Sequence, residues 1–455
     1  MVDASAHLLT PGFVNVHCHS ESIILRFVTG QRPFAEWPSL APLREAIATL
    51  RSPAVVSRVA ELYTVAGVYH LLGGTTSLGE YPLPYEPEGI NATLTGLARG
   101  GVRHRVVLQE WEQIAAARAR PDAATLFTIS LGPEEAYTVY SFENLLRAAR
   151  EIQCPLTAHI GEQRRETDTL RRNFKKAPLA VLNEFGALSA STQILHANHL
   201  GGADLDAVRD VDGTMTLCAC SGATKQTGYP VFTHLTSHDV RLSLGTDWGV
   251  GSILGEIKFL RALPQLAPGV RRFQPTELLR MGTINGAHAL GIAHQTGSLE
   301  VGKKADLVMF ALDDLRLPPL RHSATSADLA SFLVDHIGPA AITDVMVDGR
   351  FLIRNRRPGN LDEAEIRQHA QSLYSMLVSH TPMEEVVLRA VKSDRVSLEE
   401  PSAFLRGPQS SSPDPDPAHR ANLEPPTAAP PPARTSRMPE LSRTVKKVFG
   451  EDDAG

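Results

Sequence analysis

Eight short runs of strand character recur along this chain, each followed by a longer segment of helical period. They are Phe13 to His19, Thr75 to Glu80, Val102 to Leu108, Leu126 to Leu131, Pro155 to Ile160, Gln193 to Ala197, Thr214 to Cys218 and Leu242 to Thr246. Between them, Ala54 to Leu71 puts Val56, Val59, Leu62, Ala66 and Tyr69 on one helical face, and Phe142 to Ile152 does the same with Leu145, Leu146, Ala149 and Ile152. A strand followed by a helix eight times over predicts an α/β fold, a closed parallel TIM-type (β/α)8 barrel. With 455 residues the chain has room for such a barrel, of about 250 residues, and a smaller unit beside it.

The barrel is expected over residues 11–294. Gln274-Pro275-Thr276-Glu277 reads as a helix start with proline at the first helical position, and Gly291 after Leu290 as its stop; Leu278, Leu279, Ile284 and Leu290 form the buried stripe. From Gly297 the pattern changes to short β runs: Asp306 to Phe310, Ile342 to Val347, and Phe351 to Ile353 after a turn at Asp348-Gly349. These runs, with residues 1–10, predict a small β-sandwich unit over 1–10 and 295–360. A helical segment follows over 361–400. Residues 401–455 are dense in Pro, Ser, Asp and Ala and bury too little apolar area to offset the entropy of ordering, which predicts a disordered tail.

The reactive side chains fall at the carboxyl ends of the expected strands, the end at which such barrels carry their chemistry. His17 and His19 lie two apart in a strand, so both imidazoles face the same side. His159, His196 and Asp247 end later strands, and histidines with a carboxylate from scattered strand ends suit zinc or ferrous iron. Glu162, three residues past His159, is the best-placed carboxylate to take a proton from a metal-bound water and pass it to a leaving nitrogen. His196 is either a ligand or a group that orients hydroxide and substrate. His199 is either a site group or a loop histidine bonded to backbone, and Trp248 either stacks on a flat substrate ring or packs the barrel rim.

Composition narrows the function classes. A net charge of -5 with dispersed Lys and Arg offers no basic stripe for a nucleic-acid partner. Four cysteines are too few for a disulfide framework, and Cys218-x-Cys220 has no second pair with which to form a thiolate metal site. Residues 1–10 lack the charge and apolar core of a signal peptide, and no run of about 18 apolar residues exists to span a membrane. A soluble cytoplasmic protein is expected.

These motifs together resemble the metal-dependent amidohydrolase superfamily, in its aminohydrolase branch containing S-adenosylhomocysteine and methylthioadenosine deaminases, guanine deaminase and triazine hydrolases. The resemblance runs from about Val2 to about Glu365. It rests on Thr10-Pro11-Gly12-Phe13-Val14-Asn15-Val16-His17-Cys18-His19, Pro33-Phe34-Ala35-Glu36-Trp37, Gly73-Gly74-Thr75-Thr76, His159-Ile160-Gly161-Glu162, Gly245-Thr246-Asp247 and Gly297 to Leu307. It implies one divalent ion, Zn2+ or Fe2+, held by His17, His19, His159 and Asp247, with Glu162 as proton shuttle and His196 assisting. The implied reaction is attack of metal-bound hydroxide on a ring carbon of a small nitrogen heterocycle, with release of ammonia. Such relatives are often homodimers.

The chain departs from the family pattern in four places. Gly132-Pro133 is followed by Glu134 and Glu135 where a substrate-binding histidine is usual, so Glu134 favours a cationic or donor-rich substrate. Cys220-Ser221-Gly222 replaces a common Ser-Asn, and the acid after the second barrel strand is displaced to Glu80. The segment before the first histidine motif is short, which predicts an N-terminally truncated β-sandwich with unpaired strand edges near Val308 and Val345. Two rival functions stand beside deamination. One is hydrolysis of a cyclic amide or of a chlorinated ring; the other is a non-catalytic metal-stabilised scaffold whose Pro-rich tail binds partners. A scaffold needs the ligands but not Glu162.

Overall fold

The computed structural model describes residues 4–30, 32–83, 86–132, 139–229, 240–248, 251–267, 270–313, 317–318 and 324–378. Among these, thirteen strands form two sheets. In chain order they are β1 (His7–Pro11), β2 (Phe13–Cys18), β3 (Thr75–Glu80), β4 (Arg103–Leu108), β5 (Phe127–Ser130), β6 (Leu156–Ile160), β7 (Gln193–His196), β8 (Thr214–Leu217), β9 (Arg241–Leu244), β10 (Leu307–Ala311), β11 (Ile342–Val347), β12 (Arg350–Arg354) and β13 (Arg357–Pro358).

Strands β2 to β9 run parallel in sequence order, each beside the next, and are wrapped by helices in a TIM-type barrel. Each strand has helices against one face and the barrel interior against the other, so β2 and β3 are buried along their whole length. The ring closes between its first and last strands. Asn15 and Thr246 exchange two hydrogen bonds, of 2.8 and 3.0 Å, and the Asp247 amide donates to the His17 carbonyl at 2.8 Å. Gly245 sits at this seam because a Cβ there would lie 2.9 Å from the His17 Cβ and carbonyl oxygen and 3.0 Å from the Cys218 sulfur.

The expected helix over Gln274 to Gly291 is two helices, Pro275–Met281 and Ile284–Ala289. Glu277 caps the first by accepting from the Gln274 amide at 2.8 Å. The break falls at Gly282, whose carbonyl accepts the Val14 amide of β2 at 2.8 Å, and where a Cβ would meet Ile253 at 2.7 Å. Bonding to the barrel thus replaces continuation of the helix.

The second sheet is antiparallel, in the order β1-β10-β11-β12-β13. Its β11–β12 turn is Asp348-Gly349, both at positive φ (49° and 77°), the backbone of a type I′ hairpin. The edges near Val308 and Val345, expected to be unpaired, are both paired. Val308 pairs with Thr10 on one side and Val345 on the other, and Val345 pairs onward with Ile353. The sequence reading assigned no strand to His7–Pro11, yet it is the element that covers β10. This sheet is fastened to the barrel by Asp306, fully buried, which takes Arg103 on both oxygens (3.1 and 3.2 Å) and the Asp348 amide at 2.7 Å.

The helix Glu363–Val378 follows. The remainder of the expected helical segment and the tail over 401–455 lie outside the described residues. No helix among the described residues is long and apolar enough to cross a membrane.

Candidate metal centre

Alternation along β2 turns His17 and His19 to the barrel axis, their rings 5.1 Å apart, while Cys18 faces the other way. His159 comes from β6 with its ring 4.9 Å from that of His17, and His196 ends β7 with its ring 5.2 Å from that of His159. Asp247 follows β9, its Oδ1 3.3 Å from His17 Nε2 and 3.4 Å from His19 Nε2. Ligand atoms of His17, His19 and His159 all lie within 4.8 Å of one another, as do those of His17, His196 and Asp247. Side chains from four strand ends therefore converge on one point.

Backbone strain helps aim them. His196, Ala197 and Asp247 adopt positive φ (73°, 60° and 48°), a region that costs a non-glycine residue about 1–3 kcal/mol and persists where the surroundings impose it. Those surroundings are hydrogen bonds. The Ala197 amide donates to the Ile160 carbonyl at 3.0 Å, and Asp247 is held by both its amide and its carbonyl against β2.

The electrostatics suit a cation. Burial pushes the His19 ring pKa down to about 4 and those of His159 and His196 well below their ordinary value, leaving neutral imidazoles with lone pairs to give. Burial alone would raise the Asp247 carboxyl, but Lys225 and His17 beside it hold it well below the usual carboxylate range. His17 and His196 are 0 % and 1 % exposed, and none of their four ring nitrogens has a hydrogen-bond partner. Each such orphan costs about 1–3 kcal/mol in a dry interior, and a divalent ion among these imidazoles and the Asp247 carboxylate would satisfy those that face it.

Glu162, 6 % exposed, stands beside this cluster with Oε2 3.6 Å from His196 Nε2. A cavity of about 430 Å3 opens over the centre, a volume in the range of small-ligand sites. His19, His159, Glu162 and Asp247 line it, with Trp37, Tyr81 and Trp248 among its walls. Trp248 is 7 % exposed, donates from Nε1 to Thr29 at 3.2 Å and meets the Trp37 ring edge-on at 5.2 Å, so one side of it packs the rim while it still lines the cavity. His199 is placed elsewhere: its Nε2 lies 2.9 Å from the Thr227 carbonyl and it is not part of the cavity wall. Glu134 lies outside the described residues. All four cysteines are free.

Three side chains around the centre are not among the expected site residues. Tyr81 packs its ring 4.6 Å from His17 and 4.8 Å from His159 and bonds to Thr157 at 3.2 Å. Ser221 and Lys225, on the helix Ala219–Lys225 after β8, both donate to Asp247 Oδ2, at 2.6 and 2.7 Å. The Ser-x-x-x-Lys spacing was the available signal, since i and i+4 share a helix face. Lys225 is only 5 % exposed; burial pushes its pKa down, but the Asp247 and Glu162 carboxylates outweigh that and keep it charged.

The sequence pattern of the Amidohydrolase family matches residues 8–352 of this chain. The chain belongs to the amidohydrolase family. Among similar proteins, this amidohydrolase is 25 % identical over 391 residues to a 5-methylthioadenosine/S-adenosylhomocysteine deaminase of Desulforudis audaxviator, covering 83 % of this chain and 88 % of the relative. It is 24 % identical to a 5'-deoxyadenosine deaminase of Methanobrevibacter smithii, with 82 % and 87 % covered. Its fold matches that of an adenosine deaminase from Xanthomonas campestris with bound zinc at a TM-score of 0.71 (24 % identity, 82 % and 87 % covered). It also matches an atrazine chlorohydrolase variant from Arthrobacter aurescens complexed with zinc and atraton at 0.68 (19 % identity, 82 % and 89 % covered). The family and the deaminase relatives make this chain a hydrolase acting on carbon–nitrogen bonds other than peptide bonds.

Proposed function

We propose that this amidohydrolase is a mononuclear, zinc-dependent aminohydrolase that deaminates a small nitrogen heterocycle, a purine nucleoside being the first class to test. The observation that carries this reading is the convergence of neutral imidazoles and one carboxylate with a second carboxylate, Glu162, in the wall of the same cavity. His17, His19, His159 and Asp247 would hold the ion. When bound, the ion acidifies a water and polarises the electrophile.

The protein groups carry the proton. Glu162 Oε2 takes it from the attacking water and returns it to the departing nitrogen, so that a C–O bond forms, a C–N bond breaks and ammonia leaves. His196, 3.6 Å from that oxygen, orients the same water and the ring atom it attacks. The walls of Phe34, Trp37 and Trp248 suit a flat ring and exclude bulk water from it. A scaffold role has no use for Glu162, and the relatives named as deaminases favour amine loss over chloride loss.

The test is ammonia release from a panel of 5-methylthioadenosine, S-adenosylhomocysteine, 5'-deoxyadenosine, guanine and amino-triazines, with chloride measured in parallel. Glu162→Gln is expected to retain about one metal per chain and to lose at least about 1,000-fold in turnover. Unchanged turnover in that variant would exclude Glu162 as the shuttle, and chloride without ammonia would exclude deamination.

A further inference from the structure

One charged group in the cavity wall has no part in the chemistry above. Lys225 ends the helix Ala219–Lys225 with its ammonium 2.5 Å from Glu162 Oε1 and 2.7 Å from Asp247 Oδ2, joining the two carboxylates that flank the metal centre. Each carboxylate is thereby divided between two tasks. On Asp247, Oδ2 takes Ser221 and Lys225, while Oδ1 faces His17 and His19 at 3.3 and 3.4 Å. On Glu162, Oε1 takes Lys225, and Oε2 faces His196. The outer side of the ammonium is covered by aromatic rings, Phe34 with its centroid 4.4 Å from Nζ and Trp37 at 5.9 Å. The lysine is thus enclosed by two anions and two ring faces, and little freedom remains to it.

We propose that Lys225 is a positioning residue and a fixed counter-charge of the metal centre: it locks Glu162 and Asp247 so that one oxygen of each faces the centre, and it does so at the expense of metal affinity. The positioning half rests on the deaminase reading, because it acts through Glu162 as the proton shuttle. The counter-charge half rests on geometry alone. An ammonium bonded to a ligand carboxylate repels a dication bound to the same group, and in a dry site that repulsion is weakly screened. Removing it leaves the centre more negative and hungrier for metal, while the freed Glu162 loses its single orientation. A merely structural lysine would do the reverse, loosening the site and weakening metal binding along with activity.

The experiment compares the full-length wild type with Lys225→Met and Lys225→Arg, each stripped of metal and titrated with Zn2+ against a competing chelator, and then assayed for ammonia release. Lys225→Met is expected to bind Zn2+ at least about 10-fold more tightly than wild type. Its kcat is expected to fall about 100-fold, the scale of a misplaced catalytic group, with KM within about 3-fold. Lys225→Arg, which keeps the charge, is expected to hold the wild-type Zn2+ affinity within about 3-fold and part of the turnover. Zn2+ binding by Lys225→Met that is equal to or weaker than wild type overturns the counter-charge, and an unchanged kcat overturns the positioning role.

Should Lys225→Met not fold without metal, Glu162→Gln and Glu162→Gln/Lys225→Met repeat the titration with one buried carboxylate fewer; the double variant must bind Zn2+ more tightly than the single, or the counter-charge is wrong. A tightened Zn2+ affinity in a protein that deaminates none of the panel overturns the deaminase reading and still supports the counter-charge.

Discussion

The first barrel strand separates two buried polar clusters built from the same kinds of residue. On its inner face, His17 and His19 meet His159, His196 and Asp247. On its outer face, Cys18 meets His70 and Glu80, again with ligand-type atoms within 4.8 Å of one another and all three residues buried. The clusters differ in what those atoms are doing. Inside, the nitrogens of His17 and His196 have no hydrogen-bond partners. Outside, both oxygens of Glu80 are used: Oε1 accepts the Ser20 amide at 2.8 Å, and Oε2 accepts the Ser20 hydroxyl at 2.5 Å and the Cys18 thiol at 3.3 Å. Having given its hydrogen to Glu80, Ser20 accepts from His70 Nε2 at 3.0 Å. Next to it Glu21 accepts from Tyr63 and, at 2.6 Å, from the Leu83 amide.

Burial also biases the outer cluster toward its neutral forms. Burial raises the carboxyl pKa of Glu80 to about 8 and that of Glu21 to about 7, and the Cys18 thiol well above its ordinary value. Burial pushes His70 down to about 4, which keeps it neutral. Proximity of ligand residues alone therefore does not separate the two clusters; the inner one leaves both ring nitrogens of His17 and of His196 without hydrogen-bond partners, where the outer one leaves Nδ1 of His70.

The largest effect that tests this contrast is on metal content. Asp247→Asn is expected to take the protein from about one metal per chain to nearly none, with turnover down at least about 1,000-fold, whereas Glu80→Gln is expected to keep its metal. Elemental analysis that finds two ions per wild-type chain, one of them lost in Glu80→Gln, would break the comparison.

A smaller effect is on stability against pH. A carboxyl whose folded pKa is raised keeps its proton in the native state after the unfolded chain has released it. Its contribution is therefore full below the ordinary value of 4.5 and is lost progressively as pH rises above it. The lowered histidines act in the opposite sense, below their ordinary 6.5. Glu80→Gln removes only the carboxyl component, so urea denaturation should show the variant gaining on wild type between pH 5 and pH 8.5, by roughly 1–3 kcal/mol. Parallel pH profiles would mean that Glu80 is ionised in the fold.

The smallest effect concerns the cavity rim. Trp248→Phe keeps an aromatic wall and deletes the bond to Thr29, which should lower stability by about 0.5–1.5 kcal/mol and leave KM within about 3-fold. Trp248→Leu sharpens the distinction: a raised KM assigns the ring to substrate stacking, an unchanged one to packing alone.

The barrel was legible because its signals are local. Period-two and period-3.6 patterning sort the eight strands from their helices, and chain direction then tells which strand ends share a face of the barrel. That logic reached His17, His19, His159, His196 and Asp247 without a structure. It did not reach β1, whose partner β10 lies on the far side of the barrel in sequence, nor the helix break at Gly282, which depends on a hydrogen bond to β2. For His199 the sequence leaves two readings open, a site group or a loop histidine bonded to backbone. The positive φ of His196 and Ala197 turns the chain there, and the His199 ring ends on the Thr227 carbonyl.

By itself the sequence determined the order of strands and helices, the end of the barrel that carries the chemistry and the residue types gathered there, because side-chain periodicity and strand polarity are properties of neighbouring residues. Only the tertiary structure decided which of those groups keep free lone pairs, which spend them on one another, and that a lysine from a separate helix joins Glu162 to Asp247. Hydrogen-bond saturation and charge pairing depend on distances between segments remote in the chain, and no local pattern encodes those.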